Sequence, residues 1–433
     1  MDSSTLATIV LIGGFFFLMF LRIPVTFSLL IATLVSALIG GTNLSVMVNS
    51  MVLGSNNVQL LAIPFFIIMG DIMGAGGMSD KIVALANLAV GRLRGGLAYV
   101  NVLDSMFFGG ISGSAVADVS SLGSIVIPMM KKQGYKPEFA VGLTVVTACQ
   151  GVLIPPSHNM VIYAVSAGGA VTVGSMLIGG LLPGLLLGAT LIIMCALMAN
   201  HYNFPGGVKV DYKGRRAKII IDAVAPMMIF VIIMGGIAAG IFTATESSAI
   251  ACVYTFIITY FLFRSAKLRD IGSVLKKSLR TLAVVMTLIA TAKAFAYMMT
   301  DLRIPEQITA ALLSLTHNKI LLLLIINLML LILGCFMDMA PLIMIMTPIL
   351  LPVVTSPAIG MNPVHFGVML IFNLAVGLCT PPVGSALYVG CAVGKTTLEK
   401  TSLAMLPMYA TMIIALMLVT FIPAISLWLP GLL

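Results

Sequence analysis

Long apolar runs cover most of this 433-residue chain, and the informative positions are where they break. Runs at 4–21 and 24–41 read as two spans joined tightly at Arg22-Ile23-Pro24. Residues 43–55 are mixed and belong near an interface, and a third span at 58–75 carries Asp71. Residues 78–91 are amphipathic and end in Gly91-Arg92-Leu93-Arg94. The pattern then changes. Two apolar segments of about 14–18 residues, short of the roughly 20 that a spanning helix needs, flank Gly109-Gly110-Ile111-Ser112-Gly113-Ser114. Half-length helices meeting at a Gly/Ser tip predict a re-entrant hairpin over 96–131. A segment at 137–168 follows, broken at Pro155-Pro156. Irregular backbone at membrane depth is tolerated only where protein buries it or where it lines a polar site.

The pattern recurs in the second half. After a span at 174–199, the basic linker 201–218 divides the chain near its middle. Spans at 219–240 and 246–263, a basic stretch ending at Arg280, a span at 281–300 and an amphipathic piece at 305–316 lead to a second hairpin, 320–353. A second broken span, 364–394, and a last span, 403–428, complete it. Adding 226 carries Gly134 onto Gly360, Pro137 onto Pro363, Gly151 onto Gly377 and Pro155-Pro156 onto Pro381-Pro382, and adding 224 carries Gly110 onto Gly334. The expected organisation is therefore scaffold spans at 1–56, a first repeat at 57–200, the linker, further scaffold at 219–280 and a second repeat at 281–433. Interrupted segments at matching places in two halves are the sequence sign of a secondary transporter built from repeats.

Composition fixes the class. The chain is 60% hydrophobic and 9% charged, with mean hydropathy +1.15, which predicts an all-α polytopic membrane protein in the lipid bilayer. A net charge of +9 in a soluble protein would suggest nucleic acid. Here the basic residues sit in short loops, so no nucleic-acid partner is expected. The six cysteines all fall in apolar segments without paired spacing and read as small core residues, neither a disulfide framework nor a metal site. MDSSTLATIV has no basic region before its apolar stretch and reads as a retained span.

Charge gives the handedness. The 23 lysines and arginines can lie on one side, with Lys293, Arg303 and Lys319 as exceptions, if both termini are periplasmic and each hairpin re-emerges on its own side, as the positive-inside bias predicts. The loop KKQGYKPE is basic and its counterpart TSPAIGMNP is uncharged. One hairpin then enters from the cytoplasm and the other from outside, so the repeats are inverted.

FFGGISGSAVADVSSLGSIVIPMMKKQGY, GVLIPPS, GIFTATESSA and PVHFGVMLIFNLAVGLCTPPVGSALYV, in this order and over essentially the whole chain, resemble the large membrane subunit of tripartite ATP-independent periplasmic (TRAP) transporters. The resemblance implies an elevator-type importer in the bacterial inner membrane, driven by sodium. Its cargo would be an organic anion: a C4-dicarboxylate, sialic acid or a sugar acid. It also implies two partners, a small four-helix membrane subunit and a periplasmic substrate-binding protein. One departure stands out: members often have Ile-Pro after Pro-Pro-Ser, where this chain has His158-Asn159.

The hairpin tips fit ion coupling on their own chemistry. Sodium is a hard cation that wants several oxygens, which unwound backbone and hydroxyls supply. The candidate ligands are Ser112, Gly113 and Ser114 at the first tip, against the break at Pro155, Pro156 and Ser157. Gly334 and Asp338 face Gly377, Thr380 and Pro381 in the second half. No other cofactor is expected. Candidate substrate contacts are His158, Asn159, Lys293 and Ser385. Lys293 could instead pair with Asp71 or snorkel. Asp104 and Asp118 read as hydrogen-bond anchors within the hairpin, and Glu246 as a helix cap. An intramembrane enzyme is disfavoured, since no nucleophile–base pair, zinc motif or twin aspartate at helical spacing occurs. A self-sufficient anion:sodium symporter of the same broad fold is the alternative.

Overall fold

The computed structural model describes residues 2–201, 204–205, 216–316 and 318–432, without the side chains of Ile111, Ser112, Asn200, His201 and Leu315. All regular structure in this range is helical. Seven helices are long and apolar enough to cross a membrane, or eight if one bent pair counts as a span. Most of the predicted linker 201–218 lies outside the described residues. Phe204 is described and packs on Tyr135 and Phe139.

The first hairpin is Gly96–Ser112 and Ala115–Lys132, joined at Gly113-Ser114. Gly113 takes the left-handed conformation at φ +63°, which glycine enters without steric cost. Ser114 then caps the second arm by accepting Ala117 N–H, one of the orphan donors of a helix start. The second hairpin is Lys319–Phe336 and Met339–Thr355, turning at Met337-Asp338. Each is followed by a helix that stops at its break: Pro137–Gly151 then His158–Ser166, and Pro363–Leu378 then Ser385–Gly394. Proline opens both, where a missing N–H costs nothing. Both Pro-Pro bonds are cis.

These two helices form the centre. Every residue from Phe139 to Gly151 and from His365 to Leu378 is buried, as an all-round apolar helix must be. The hairpin arms pack on them, and paired glycines set the approach. A Cβ on Gly151 would lie 2.5 Å from Gly109 Cα, and one on Gly377 2.7 Å from Gly334 Cα. The structure thus pairs Gly334 with Gly109, not with Gly110 as the 224-residue offset suggests. The offset falls from 226 at the breaks to 225 at these glycines and 224 at the residues that open the second arms, Ser114 and Asp338.

Three further expectations change. The span at 281–300 is part of one helix, Ile271–Asp301, so the basic residues Lys276, Lys277 and Arg280 are helical and not a loop. The last span is bent by 57° between Leu398–Ala404 and Leu406–Phe421, with Pro407 in the first turn of the second piece. Asp104 and Asp118 anchor nothing: both are fully buried and their oxygens accept no hydrogen bond. Glu246, by contrast, closes a capping box with Thr243.

Candidate functional site

A cavity of about 1080 Å³ lies where the two halves meet. Ser114 from the first tip, His158 and Asn159 from the first break, and Asp338 from the second tip all line it. The helices that bring them together belong to both repeats, so the cavity exists only because the halves interlock.

At the first tip, backbone oxygens crowd the hairpin. A Cβ on Gly110 would lie 2.9 Å from Pro155 O, and one on Gly113 3.3 Å from Pro156 O and 3.0 Å from His158 Nδ1. Asn159 donates its amide to Gly113 O at 3.4 Å. Ser157 Oγ is buried beside them with no hydrogen-bond partner. An enclosed set of carbonyls with an orphaned hydroxyl is the donor chemistry a hard monovalent cation takes. The Ser112 side chain lies outside the described residues.

The second tip is more open. Asp338 is exposed to the cavity and receives Ser385 Oγ at 3.5 Å, the outer limit of a hydrogen bond. Gly384, at φ +31°, folds so tightly that a Cβ would lie 2.8 Å from Thr380 O. Thr380 Oγ1 donates to Val376 O at 2.7 Å, and Val383 N–H ties the break to Cys335 O of the hairpin at 3.1 Å. Pro381 and Pro382 are exposed, whereas Pro155 and Pro156 are buried. The two halves share a plan but not a state of enclosure.

Lys293 stands apart from the cavity. Its ammonium donates to Val165 O at 3.1 Å, and its stem fills the space over Gly54. Asp71 pairs instead with Lys277, Nζ to Oδ1 2.8 Å, and accepts Ser278 Oγ at 2.7 Å. This ion pair lines the same cavity as the tips. Sequence reasoning placed Lys277 in a basic loop. The missed signal was the helical spacing of Val274, Lys277 and Ser278, which continues the following span without a breaker.

With this geometry the comparisons agree. Residues 12–425 match the family described as "Tripartite ATP-independent periplasmic transporter, DctM component". The chain belongs to that family: it is the large permease subunit of a TRAP transporter, a multi-pass membrane protein. It is 38% identical over 377 residues to the C4-dicarboxylate TRAP transporter large permease protein DctM of Pseudomonas aeruginosa, covering 87% of each chain. It is 34% identical over 422 residues to the sialic acid TRAP transporter large permease protein SiaM of Vibrio cholerae, covering 97% of this chain and 98% of that one. Among solved structures, the YdaH transporter of Alcanivorax borkumensis shares the fold. Its TM-score is 0.63 at 13% identity, over 89% of this chain and 87% of that one.

Proposed function

We propose that this subunit moves an organic anion inward across the bacterial inner membrane, coupled to sodium, with a small membrane subunit and a periplasmic binding protein as partners. The single observation that carries the reading is the cavity. Both hairpin tips, one helix break and Lys277, the only lysine or arginine on its wall among the described residues, converge there. Sodium would sit at the tips, held by hydroxyls and backbone carbonyls, and supply positive charge beside the anion. The residues themselves position the cargo. Lys277 offers an ammonium, His158 and Asn159 offer hydrogen bonds, and the N-termini of the arm that starts at Ala115 and of the helix that starts at His158 offer positive dipole ends.

The enclosed first break and the open second break support an elevator in which one half seals while the other admits the cargo. Relatives that carry C4-dicarboxylate and sialic acid support an organic anion as the class. The test is uptake into proteoliposomes holding this chain with its small subunit, supplied with binding protein and a panel of radiolabelled acids. Uptake should need an inward sodium gradient and the binding protein together. Robust uptake by the isolated chain would favour the self-sufficient symporter.

A further inference from the structure

One half-buried cation takes no part in the cavity. Lys293 lies on the long helix Ile271–Asp301, which packs on Val25–Gly40, Leu44–Ser55 and Ala62–Ala75. Its stem is held on that side, where Gly54 leaves room for it: a Cβ on Gly54 would lie 2.3 Å from Lys293 Cγ. Its ammonium reaches away from that group of helices and donates to Val165 O at 3.1 Å. Val165 is in the last turn of His158–Ser166, whose other end carries His158 and Asn159 to the cavity wall. The last carbonyls of a helix lack partners within it and form the negative end of its dipole, so an ammonium suits the place.

This bond crosses a boundary that others do not. Consider the helices within 3–75 and 216–301 as one group, and those within 96–201 and from 319 onward as another. Among the described residues, Lys293 to Val165 O is the only side-chain hydrogen bond or ion pair between the groups. Asp71 with Lys277 and Thr42 with Asp301 stay inside the first, and Tyr163 with Pro363 O stays inside the second. Elsewhere the groups meet by packing: His158–Ser166 lies against Ala62–Ala75, and Met339–Thr355 against Ile271–Asp301. Apolar packing is non-directional and tolerates sliding, whereas a hydrogen bond selects one register.

The second repeat shows that such a helix end can be satisfied without crossing. There Gly394 O, at the end of Ser385–Gly394, accepts from Lys131 of the hairpin arm Ala115–Lys132, in the same group. An ionisable residue at membrane depth is costly and calls for a partner and a role. No carboxylate among the described residues pairs with Lys293, and a carbonyl holds an ammonium less firmly than a full negative charge would. The bond can set a position and still release.

We propose that Lys293 is a latch: it holds the group that carries both broken helices against Ile271–Asp301 in the conformation described, and it opens when that group slides. Losing the bond weakens one conformation only and shifts the balance toward the other. For a hydrogen bond from a charged donor the shift is about 10-fold. The inference rests on the reading above that the subunit works as an elevator. It needs neither the sodium ligands nor the identity of the cargo.

The test measures spin-label distances in the full chain, reconstituted in lipid nanodiscs in a cysteine-free background. Labels at Asn49→Cys and Ala170→Cys occupy exposed positions on either side of the boundary. Lys293→Met keeps a stem over Gly54 and removes the ammonium, and it should enlarge a second distance population about 10-fold over wild type. Lys293→Arg should keep the wild-type distribution. Gly54→Ala displaces the stem from the other side and should act like Lys293→Met; if either fails to fold, the other decides. Identical distributions in wild type and the folded variant would overturn the proposal. Sodium chloride against choline chloride separates that failure from failure of the elevator reading. If wild-type distances respond to the salt and Lys293→Met matches them throughout, the groups move and Lys293 is no latch. If neither salt nor variant moves the labels, the groups do not slide and the latch falls with the elevator.

Discussion

Asn373 donates its amide to Asn327 Oδ1 at 2.9 Å, joining the second broken helix to the first arm of its hairpin. Thr147 and Asn101 make the corresponding bond at 3.2 Å in the first half. Both pairs are 46 residues apart, and each partner is displaced by 226 from its counterpart. A buried polar pair in a membrane protein fixes register, because any slip leaves amides unsatisfied in an apolar surround. The glycine contacts a turn or two further along complete the clamp. In each half, a polar pair sets the axial position and a glycine pair sets the distance.

The glycine contact gives a direct stability test. Gly151→Ala and Gly377→Ala would each place a methyl within 2.7 Å of facing backbone, which has no side chain to move aside. Overpacking of this kind costs about 1–3 kcal/mol, so the melting temperature of the purified chain should drop in both variants. Gly272→Ala, in a helix with nothing within 4 Å, should be neutral or slightly stabilising. Equal behaviour of the three would show that the arms do not rely on this approach.

A second prediction separates charge recognition from packing. Lys277 has a 72% exposed side chain and Asp71 one that is 13% exposed, so the pair contributes at most about 1 kcal/mol to stability. Lys277→Ala should therefore leave expression and melting nearly unchanged. If the ammonium meets the anion, the apparent KM for uptake should rise by roughly 5- to 10-fold, about 1 kcal/mol or a little more. Lys277→Arg should recover most of it. An unchanged KM in Lys277→Ala would remove this residue from the site.

Much of this architecture was legible because helix breakers leave marks that survive divergence. Proline, glycine and short apolar arms located both hairpins and both breaks, and the offset between them announced the repeat. Side-chain partnership was not legible. Lys277 and Asp71 are far apart in sequence, and a lysine after a run of basic residues looks like any loop lysine. Lys293 looked chemically significant as an isolated cation, yet a single carbonyl and a glycine-sized space accommodate it. Asp104 and Asp118 read as hydrogen-bond anchors because their type suggests it, and only the structure shows that their carboxylate oxygens lack a hydrogen-bond partner. Local conformation is written in residue type and spacing, whereas pairing across helices depends on rotation angles that composition does not fix.

The orientation of the hairpins can be read by labelling. Lys136→Cys and Ala358→Cys place thiols at exposed positions in the basic and uncharged loops that follow the two hairpins. In a cysteine-free background, a membrane-impermeant maleimide should reach Ala358→Cys from outside intact cells and Lys136→Cys only after the cells are opened. Reaction of both from the same side would mean that the repeats are parallel.

The last prediction concerns coupling. If the tips coordinate sodium, removing one ligand oxygen should weaken ion binding while the fold persists. Ser114→Ala removes a hydroxyl from the first tip. That hydroxyl also caps the Ala115–Lys132 arm, and cap loss costs about 1 kcal/mol of stability, so rates must be normalised to folded protein. Asp338→Asn removes charge at the second tip while keeping an oxygen able to cap the helix that begins at Met339 and to accept from Ser385. A lost ligating oxygen costs on the order of 1–3 kcal/mol, or roughly 5- to 150-fold in affinity. Initial uptake measured against external sodium should therefore show a raised half-saturation in both variants, with saturating sodium restoring part of the rate. A purely architectural role predicts another pattern: a lower rate at every sodium concentration and the wild-type half-saturation. Because the first break is enclosed and the second open, Ser114→Ala should show the steeper rise, as a ligand lost from a dry site has no water at hand to replace it. Wild-type half-saturation in both curves would place sodium elsewhere in the chain.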